Sequence, residues 1–301
     1  MSSQMRATIE CPDSMASVLA SIHEKALSSE HDGLALFLDI DGTLTDFQDD
    51  PEHVRIYKGS RLSNDLEKLR GTLKKAMAVC TARDVESADR VMDGMVLSGA
   101  FEHGAVIRYD DQTTHTLSHV PDFDAVKDDI KTAMRALPGS WLEQKAVSLA
   151  FHWRECVESH NMDDRICQKI CEDIAQDVIR KLSSRQADEF HQLHTHLGAH
   201  VLEISPAVTR QGHIIDKGAG IRAFMQTSPF KNRIPVFLGD SPSSDGPAFK
   251  AVQDLDGFAI GVGSRVRDQN VDFLLADIND AQKTIQKLSE ILQMPKGATN
   301  G

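Results

Sequence analysis

Short apolar runs followed by amphipathic helical patterns occur near both ends of this 301-residue chain. The apolar runs are 34–38, 76–80, 235–238 and 258–263, and the helical segments between them include 62–73, 84–92, 216–226 and 244–252. Strands that alternate with helices form parallel sheets with helices on both faces. The pattern therefore predicts an α/β fold with a doubly wound, Rossmann-like parallel sheet.

The middle of the chain follows a different pattern. Residues 146–153 alternate between apolar and polar, which is typical of a half-buried antiparallel strand. Residues 161–182 read as a helix that Asn161 could cap, with an apolar stripe that begins at Ile166, and 200–204 reads as a further strand. An α+β cap domain inserted into the α/β core is the simplest description. The predicted boundaries are 1–33 for an extension with a helix from residue 14 to 30, 34–116 and 207–290 for the core, 117–206 for the cap, and 291–301 for a flexible tail.

Polar residues directly follow several of the predicted strands. Asp39 comes after the first strand, Thr81 after the second, and Asp240 after the strand at 235–238. Parallel strands of an open sheet end at the same edge, which is where such sheets bind ligands. We therefore expect these side chains to form one site.

The segment Asp39-Ile40-Asp41-Gly42-Thr43 carries the strongest chemical signal. Two carboxylates spaced two residues apart can divide the work of phosphoryl transfer. One attacks phosphorus, and the other protonates the departing oxygen and later activates water. We expect Asp39 to be the nucleophile, Gly42 to turn the chain away from the strand, and Thr43 to hold phosphoryl oxygens.

Carboxylates and a phosphate dianion repel one another unless cations lie between them. Asp240 can complete a magnesium site with the Asp39 carboxylate and the backbone carbonyl of Asp41, because Mg²⁺ prefers oxygen ligands. Lys217, at the start of a predicted helix, can neutralise Asp39 and the phosphoryl group. Thr81 can donate a hydrogen bond to the phosphate. The sequence thus predicts a Mg²⁺-dependent phosphatase.

The order of these motifs resembles that of the haloacid dehalogenase superfamily, and more narrowly that of trehalose-6-phosphate phosphatases. Besides DIDGTLT and GDSPSSD, the resemblance is carried by SGAFEHGAVIR (98–108), WLEQKAVSLAFHWR (141–154), VLEISPA (201–207) and IIDKGAGIRAFM (214–225). It covers residues 34 to 290. It implies a core with a mobile cap that closes over a sugar.

The resemblance also implies roles for individual residues. Asp39 would be nucleophile and metal ligand, Asp41 acid/base and backbone metal ligand, and Asp240 a metal ligand, with Thr81 and Lys217 holding the phosphate. The positions that the family uses around the sugar are matched by Glu143, Lys145, Ser148, His152, Arg154 and Glu203 in the cap and by His103 in the core.

Two positions depart from the family's pattern. The family usually has a second Asp directly after the metal ligand, whereas here Asp240 is followed by four other residues before Asp245. Asp245 is therefore expected to orient the metal ligands rather than to bind the metal. Ala82 stands after Thr81 where the family usually has glycine.

The favoured function is hydrolysis of trehalose 6-phosphate in trehalose biosynthesis. One alternative is a phosphatase for another sugar phosphate, such as that of sucrose or mannosylglycerate. The other alternative is a sugar-phosphate sensor without catalytic activity, although a binding protein would have no need of a nucleophile at Asp39.

Charge and cysteine content limit the partners. The net charge of −12 and the absence of a basic stripe exclude nucleic acid as the main partner. The sequence contains no run of apolar residues long enough to cross a membrane and no signal-peptide pattern. The five cysteines (Cys11, Cys80, Cys156, Cys167, Cys171) lack the spacing of a disulfide or zinc framework, which predicts reduced thiols and a cytoplasmic location. We expect a monomer or a small homo-oligomer.

Overall fold

The computed structural model describes residues 14–27, 31–46, 48, 51–185 and 192–292 of the chain. These residues form two compact units. Unit 1 consists of the described residues up to His115 and from Asp216 onward, and unit 2 is Thr116–Ile215. Cys11, the last residues of the helix predicted over 14–30, and nearly all of the predicted tail lie outside the described residues.

The helices and strands follow one another along the described chain as α1 (Ser14–Leu27), β1 (Leu34–Leu38), α2 (Arg61–Thr72), β2 (Met77–Cys80), α3 (Val85–Val91), β3 (Ser98–Phe101), β4 (Val106–Arg108), β5 (Thr114–Thr116), α4 (Lys127–Ala133), β6 (Trp141–Gln144), β7 (Leu149–His152), α5 (Arg154–Glu158), α6 (Asp164–Arg185), β8 (Leu193–Gly198), β9 (Val201–Pro206), α7 (Lys217–Met225), β10 (Ile234–Gly239), α8 (Pro242–Asp254), β11 (Phe258–Val262), β12 (Phe273–Leu275) and α9 (Ile278–Ile291).

The large sheet has the strand order β12-β11-β10-β1-β2-β3-β4-β5. The strands from β12 to β3 run parallel to their neighbours, and β4 pairs antiparallel with β3. Every residue of β1 and β10 is buried, as expected for strands covered on both faces. The prediction of a doubly wound α/β fold is confirmed.

Two groups of helices pack on this sheet: α7 with α8, and α1 and α2 with α9. Phe37 of β1 and Phe237 of β10 are partners in the register and so lie on the same face of the sheet. Phe37 contacts Phe224 of α7, and Phe237 contacts Phe249 of α8. Because β1 continues through α2 to β2 on one side and pairs with β10 on the other, the strand order switches direction between β1 and β10. Ligands of open α/β sheets bind at such a switch point.

Unit 2 contains an antiparallel sheet of order β6-β7-β9-β8. One face of this sheet packs on helices through a core that includes Phe151, Trp153 and Leu202. Trp153 is fully buried, and its Nε1 donates a hydrogen bond of 2.7 Å to Asp164 at the start of α6. The predicted α+β character of this segment is therefore observed.

The predicted start of α6 was wrong, whereas its predicted apolar stripe is wrong only at its first residue, since Ile174, Val178 and Leu182 lie in the core. The helix begins at Asp164, and Asn161 has a positive φ of 52° outside it. Asp163 caps the helix instead, because its Oδ1 accepts a hydrogen bond from the backbone N–H of Ile166 at 3.2 Å. Ile166 is 56% exposed, whereas Cys167 is fully buried. The core stripe therefore begins one residue later than the isoleucine spacing indicated.

None of the described helices combines the length and the apolar character that crossing a bilayer requires.

Candidate active site

Asp39 and Lys217 meet where β1 ends and α7 begins. Asp39 follows the last residue of β1, and its backbone N–H donates to Leu238 of β10 at 3.0 Å. Lys217 is the first residue of α7, whose N-terminus is capped by Asp216. The Lys217 Nζ donates to Asp39 Oδ1 at 2.6 Å, and both side chains are almost fully buried. Two residues 178 positions apart in sequence thus form a buried ion pair.

Gly104 allows the start of α7 to approach the sheet. It has a φ of +99°, and a Cβ added there would lie 2.2 Å from the backbone oxygen of Asp216. No other residue type fits without displacing the chain that carries Lys217. The turn at Glu102–Gly104 therefore helps to fix the position of the ammonium group.

Asp245 connects Lys217 to the end of β10. Its Oδ1 accepts from the Lys217 Nζ at 2.6 Å. Its Oδ2 accepts from the backbone N–H groups of Asp240 at 2.9 Å and Ser241 at 2.8 Å. The carboxylate is fully buried and bound on both oxygens, so it holds the loop that presents Asp240.

The buried carboxylates outnumber the buried cation. Carboxylate oxygens of Asp39, Asp240 and Asp245 lie within 4.8 Å of one another, and one ammonium, that of Lys217, bridges two of them. Burial raises the pKa of Asp39 to about 8; the charge of Lys217 opposes this rise, and the charges of Asp245 and Asp240 add to it. Burial and the charge of Asp245 raise the pKa of Asp240 to about 6.

The pKa of Lys217 is raised above its ordinary value. Burial alone would lower it, but the charges of Asp245 and Asp39 outweigh burial. Lys217 therefore stays protonated. When Asp39, Asp240 and Asp245 are all ionised, the ammonium of Lys217 and the guanidinium of Arg265 balance two of their three charges, and a further cation could balance the third. Carboxylate oxygens such as those of Asp39 and Asp240 are ligands that hard divalent cations prefer. The residues present therefore fit a divalent metal.

Asp41 forms its ion pair with a residue that the sequence reasoning had given no role. The Arg83 Nε and Nη2 donate to Asp41 Oδ2 and Oδ1, each at 2.7 Å. The loop that carries Asp41 turns at Gly42, which has a φ of 82°, and Thr43 Oγ1 donates to Asp39 Oδ2 at 3.3 Å. The predicted turn at Gly42 is observed, and Thr43 lies beside the predicted nucleophile.

Thr81 and His103 lie in neighbouring loops of unit 1. Thr81 is fully buried after β2, and its Oγ1 accepts from the backbone N–H of Arg83 at 3.1 Å. The backbone N–H of His103 donates to the Thr81 carbonyl at 3.1 Å. His103 and the preceding Glu102 both have positive φ values, of 57° and 47°. This strained turn is thus held against the loop that follows β2.

Most of the predicted sugar ligands of unit 2 lie together on the face of its sheet opposite the helices. Register pairs Glu143 with Ala150 and Ala150 with Glu203, which places both glutamates on that face. Lys145 Nζ donates to Glu203 Oε2 at 2.7 Å, and His152 Nε2 lies 2.9 Å from Glu143 Oε2. Glu203 Oε1 is buried and accepts no hydrogen bond from the described residues.

Ser148 and Arg154 lie outside the strands of this sheet. The strand β7 starts at Leu149, so Ser148 lies in the turn before it, where its carbonyl accepts from the backbone N–H of Lys145 at 2.9 Å. Arg154 opens α5 and pairs with Glu158 one helical turn later at 3.4 Å. Arg154 is therefore not on a strand of the polar sheet face.

Two arginines of the site were missed from the sequence. Arg83 binds Asp41, and Arg265 Nη1 donates to Asp240 Oδ2 at 3.0 Å. Both follow the carboxyl ends of parallel strands, β2 and β11. That position was the available signal, because the same edge of the sheet carries Asp39 and Asp240.

Comparison of the sequence with known proteins finds trehalose-phosphate phosphatases. A model of the trehalose-phosphatase family matches residues 37–273. A probable trehalose-phosphate phosphatase of Sinorhizobium fredii (strain NBRC 101917 / NGR234) is 30% identical over 80% of this chain and 82% of its own. The trehalose-6-phosphate phosphatase of Escherichia coli (strain K12) is 27% identical over 87% of this chain and 89% of its own.

Solved structures share the fold. The C-terminal domain of a C. albicans trehalose-6-phosphate phosphatase superposes with a TM-score of 0.68 at 17% identity, over 95% of this chain and 99% of that domain. A haloacid dehalogenase-like hydrolase from Bacteroides thetaiotaomicron gives a TM-score of 0.51 at 14% identity, over 85% of this chain and 98% of that chain. The fold is therefore that of haloacid dehalogenase-like hydrolases.

Proposed function

Because this chain belongs to the trehalose-phosphatase family, whose members are phosphoric monoester hydrolases, we propose that it hydrolyses trehalose 6-phosphate to trehalose and phosphate. The observation that supports this most is the buried Lys217 between Asp39 and Asp245, next to Asp240. This arrangement provides a nucleophile, a fixed positive charge and oxygen ligands at the edge of the sheet where ligands bind.

In the proposed mechanism, Asp39 and Asp41 share the chemistry. A carboxylate oxygen of Asp39 attacks phosphorus, the bond from phosphorus to the sugar oxygen breaks, and Asp41 gives that oxygen a proton. Water then attacks the phosphorus of the aspartyl phosphate, Asp41 takes a proton from the water, and inorganic phosphate leaves. Asp41 thus acts first as an acid and then as a base.

The cations of the site make attack on a dianion feasible. In the proposal Lys217 and the hydroxyl of Thr81 hold phosphoryl oxygens. The carboxylates of Asp39 and Asp240 and the main-chain carbonyl of Asp41 would hold Mg²⁺, with Asp245 fixing the loop of Asp240. When bound, Mg²⁺ supplies positive charge that offsets the repulsion between the carboxylates and the phosphate. The raised pKa of Asp39, about 8, supports a need for such a charge, since the nucleophile must be ionised.

We propose that the polar sheet face of unit 2 recognises the sugar. Sugar hydroxyls need many charged and polar hydrogen-bond partners, and Lys145, Glu203, His152 and Glu143 form two hydrogen-bonded pairs on this face. The proposed sugar ligands are Glu143, Lys145, Ser148, His152, Arg154 and Glu203 of unit 2 and His103 of unit 1.

Free thiols support a reducing location. Cys80, Cys156, Cys167 and Cys171 are all buried and free. Disulfides persist in oxidising compartments. We propose that the protein acts in the cytoplasm on a small sugar phosphate.

A phosphate-release panel tests the proposed function. Purified protein is assayed on trehalose 6-phosphate, sucrose 6-phosphate, mannosylglycerate phosphate and glucose 6-phosphate, with Mg²⁺ or with EDTA. We expect release from trehalose 6-phosphate to be fastest and to require Mg²⁺. Release from none of these esters would contradict the enzyme assignment. Faster release from another sugar phosphate would contradict trehalose 6-phosphate as the substrate.

The recognition role is tested separately. Glu143→Ala and Lys145→Ala should reduce kcat/KM for trehalose 6-phosphate far more than for p-nitrophenyl phosphate, which has no sugar to bind. Lys169→Ala on the exposed side of α6 is the matched control and should change neither. Equal losses of kcat/KM on both substrates would show that Glu143 and Lys145 do not bind the sugar.

A further inference from the structure

Arg83 holds both oxygens of Asp41 in a planar fork. Its Nε and Nη2 donate to the two carboxylate oxygens at 2.7 Å each. Its remaining terminal nitrogen, Nη1, donates to Ser87 Oγ of α3 at 2.8 Å. The Arg83 side chain is only 9% exposed, so it is itself packed in place. The guanidinium is thus anchored by α3 and by its own packing.

This fork restricts Asp41 in a way that a single positive charge would not. Two parallel N–H···O bonds fix the plane of the carboxylate, whereas one bond leaves it free to rotate. Each carboxylate oxygen has two lone pairs, and the fork occupies one on each oxygen. One lone pair per oxygen remains in the carboxylate plane. A proton carried there has a defined direction.

We propose that Arg83 is a positioning residue for the proton transfers of Asp41. The inference rests on the proposed phosphatase function, and it concerns how the acid is aimed rather than which sugar is bound. Arg83 gives up no proton itself. Asp41 passes its proton to the leaving oxygen as the phosphorus–oxygen bond breaks and later receives one from water, while the fork keeps the carboxylate plane fixed through both transfers.

Leaving groups of graded acidity isolate this role. The phenolate of an acidic phenol can leave without taking up a proton, whereas the phenolate of a weakly acidic phenol needs one. Arg83→Lys keeps the charge but removes the fork. General acid catalysis contributes roughly 10²–10⁴-fold, so kcat/KM for the poorest leaving group should fall about tenfold to a hundredfold, and for the best only a few-fold. We use kcat/KM because kcat also contains the later hydrolysis of the aspartyl phosphate, which is the same for every ester.

The experiment measures kcat and kcat/KM for a series of ring-substituted phenyl phosphates in wild type, Arg83→Lys and Arg83→Gln. We expect kcat/KM to depend more steeply on the acidity of the phenol in both variants than in wild type. Arg90→Lys is the control, because Arg90, in the helix α3 that anchors Arg83, forms an arginine–carboxylate pair with Glu52 on an exposed surface. Its slope should match that of wild type.

Unchanged slopes in folded Arg83 variants would overturn the inference while leaving the phosphatase assignment intact. If wild type releases phosphate from no ester, both the assignment and the inference fail. Circular dichroism identifies folded variants. If Arg83→Lys does not fold, Arg83→Gln decides, since its planar amide can still donate one hydrogen bond to Asp41.

Discussion

Replacing Lys217 by methionine tests the charge balance of the site most severely. Methionine is of similar length but uncharged, so the change removes the one ammonium that contacts both Asp39 and Asp245 at 2.6 Å. Removing one partner of a buried ion pair costs about 3–5 kcal/mol because the other charge is left unpaired. Asp245 is the charge left unpaired, because metal-free Asp39, with its pKa raised to about 8, already carries a proton at pH 7, which keeps the total cost in this range.

The assay is thermal and urea unfolding of the metal-free protein at pH 7. A loss of about 3–5 kcal/mol corresponds to a fall in Tm of roughly 6–20 °C for a chain of this size. The double variant Lys217→Met with Asp245→Asn should recover about 1–3 kcal/mol, because Asn has the shape of Asp, carries no charge and can still accept both backbone N–H bonds. It should not recover activity.

Two results would refute this reasoning. A loss below about 1 kcal/mol in Lys217→Met would show that the carboxylates do not depend on the ammonium. A double variant no more stable than the single one would show that the charge of Asp245 is not what the missing ammonium leaves unbalanced.

Three further predictions follow from other parts of the structure. In EDTA, stability should fall as pH rises from about 4 to about 8, because folded Asp39 has its pKa raised to about 8 and keeps a proton that the unfolded chain releases; Tm at pH 6 and pH 8.5 should show this, and Mg²⁺ should reverse it. Gly104→Ala should cost about 1–3 kcal/mol and lower kcat, because its Cβ would meet the Asp216 carbonyl 2.2 Å away; unchanged Tm and kcat would contradict this. Trp153→Phe should cost about 1–3 kcal/mol in urea unfolding, because it removes the hydrogen bond to Asp164 from a fully buried site; a neutral effect would show that this bond contributes nothing.

The central strands were predictable because of where they lie. A strand covered by helices on both faces, such as β1 at Leu34–Leu38, must be apolar along its whole length, so it appears in the sequence as a short uninterrupted run. Its end is marked by the first charged residue, Asp39. Strand and site were therefore visible in the same few residues.

The helices and strands of unit 2 were harder to predict from the sequence, for physical reasons. Cys167 and Cys171 form part of the buried stripe of α6, but the prediction began that stripe at Ile166 and gave the cysteines no place in it. The strand β8, Leu193–Gly198, contains the polar run His194-Thr195-His196, so it lacks the alternation of apolar and polar residues that would predict a strand. These elements acquire their faces from packing against neighbours.

Arg83 and Arg265 could not be assigned from local pattern. An arginine in a loop is most often a solvated surface residue, and nothing near Arg83 in sequence specifies that its partner is Asp41, 42 positions earlier. The pairing exists because the sheet places the loops after β1 and β2 side by side. Only the strand order supplies that information.

The identity of the nucleophile is the claim that one measurement tests most directly. Protein mixed with trehalose 6-phosphate and Mg²⁺ is quenched in acid within one turnover, digested and analysed by mass spectrometry. We expect a phosphoryl group on the peptide that contains Asp39, and none in Asp39→Asn, which should be folded and inactive. A phosphoryl group on another residue, or full turnover by Asp39→Asn, would contradict the account.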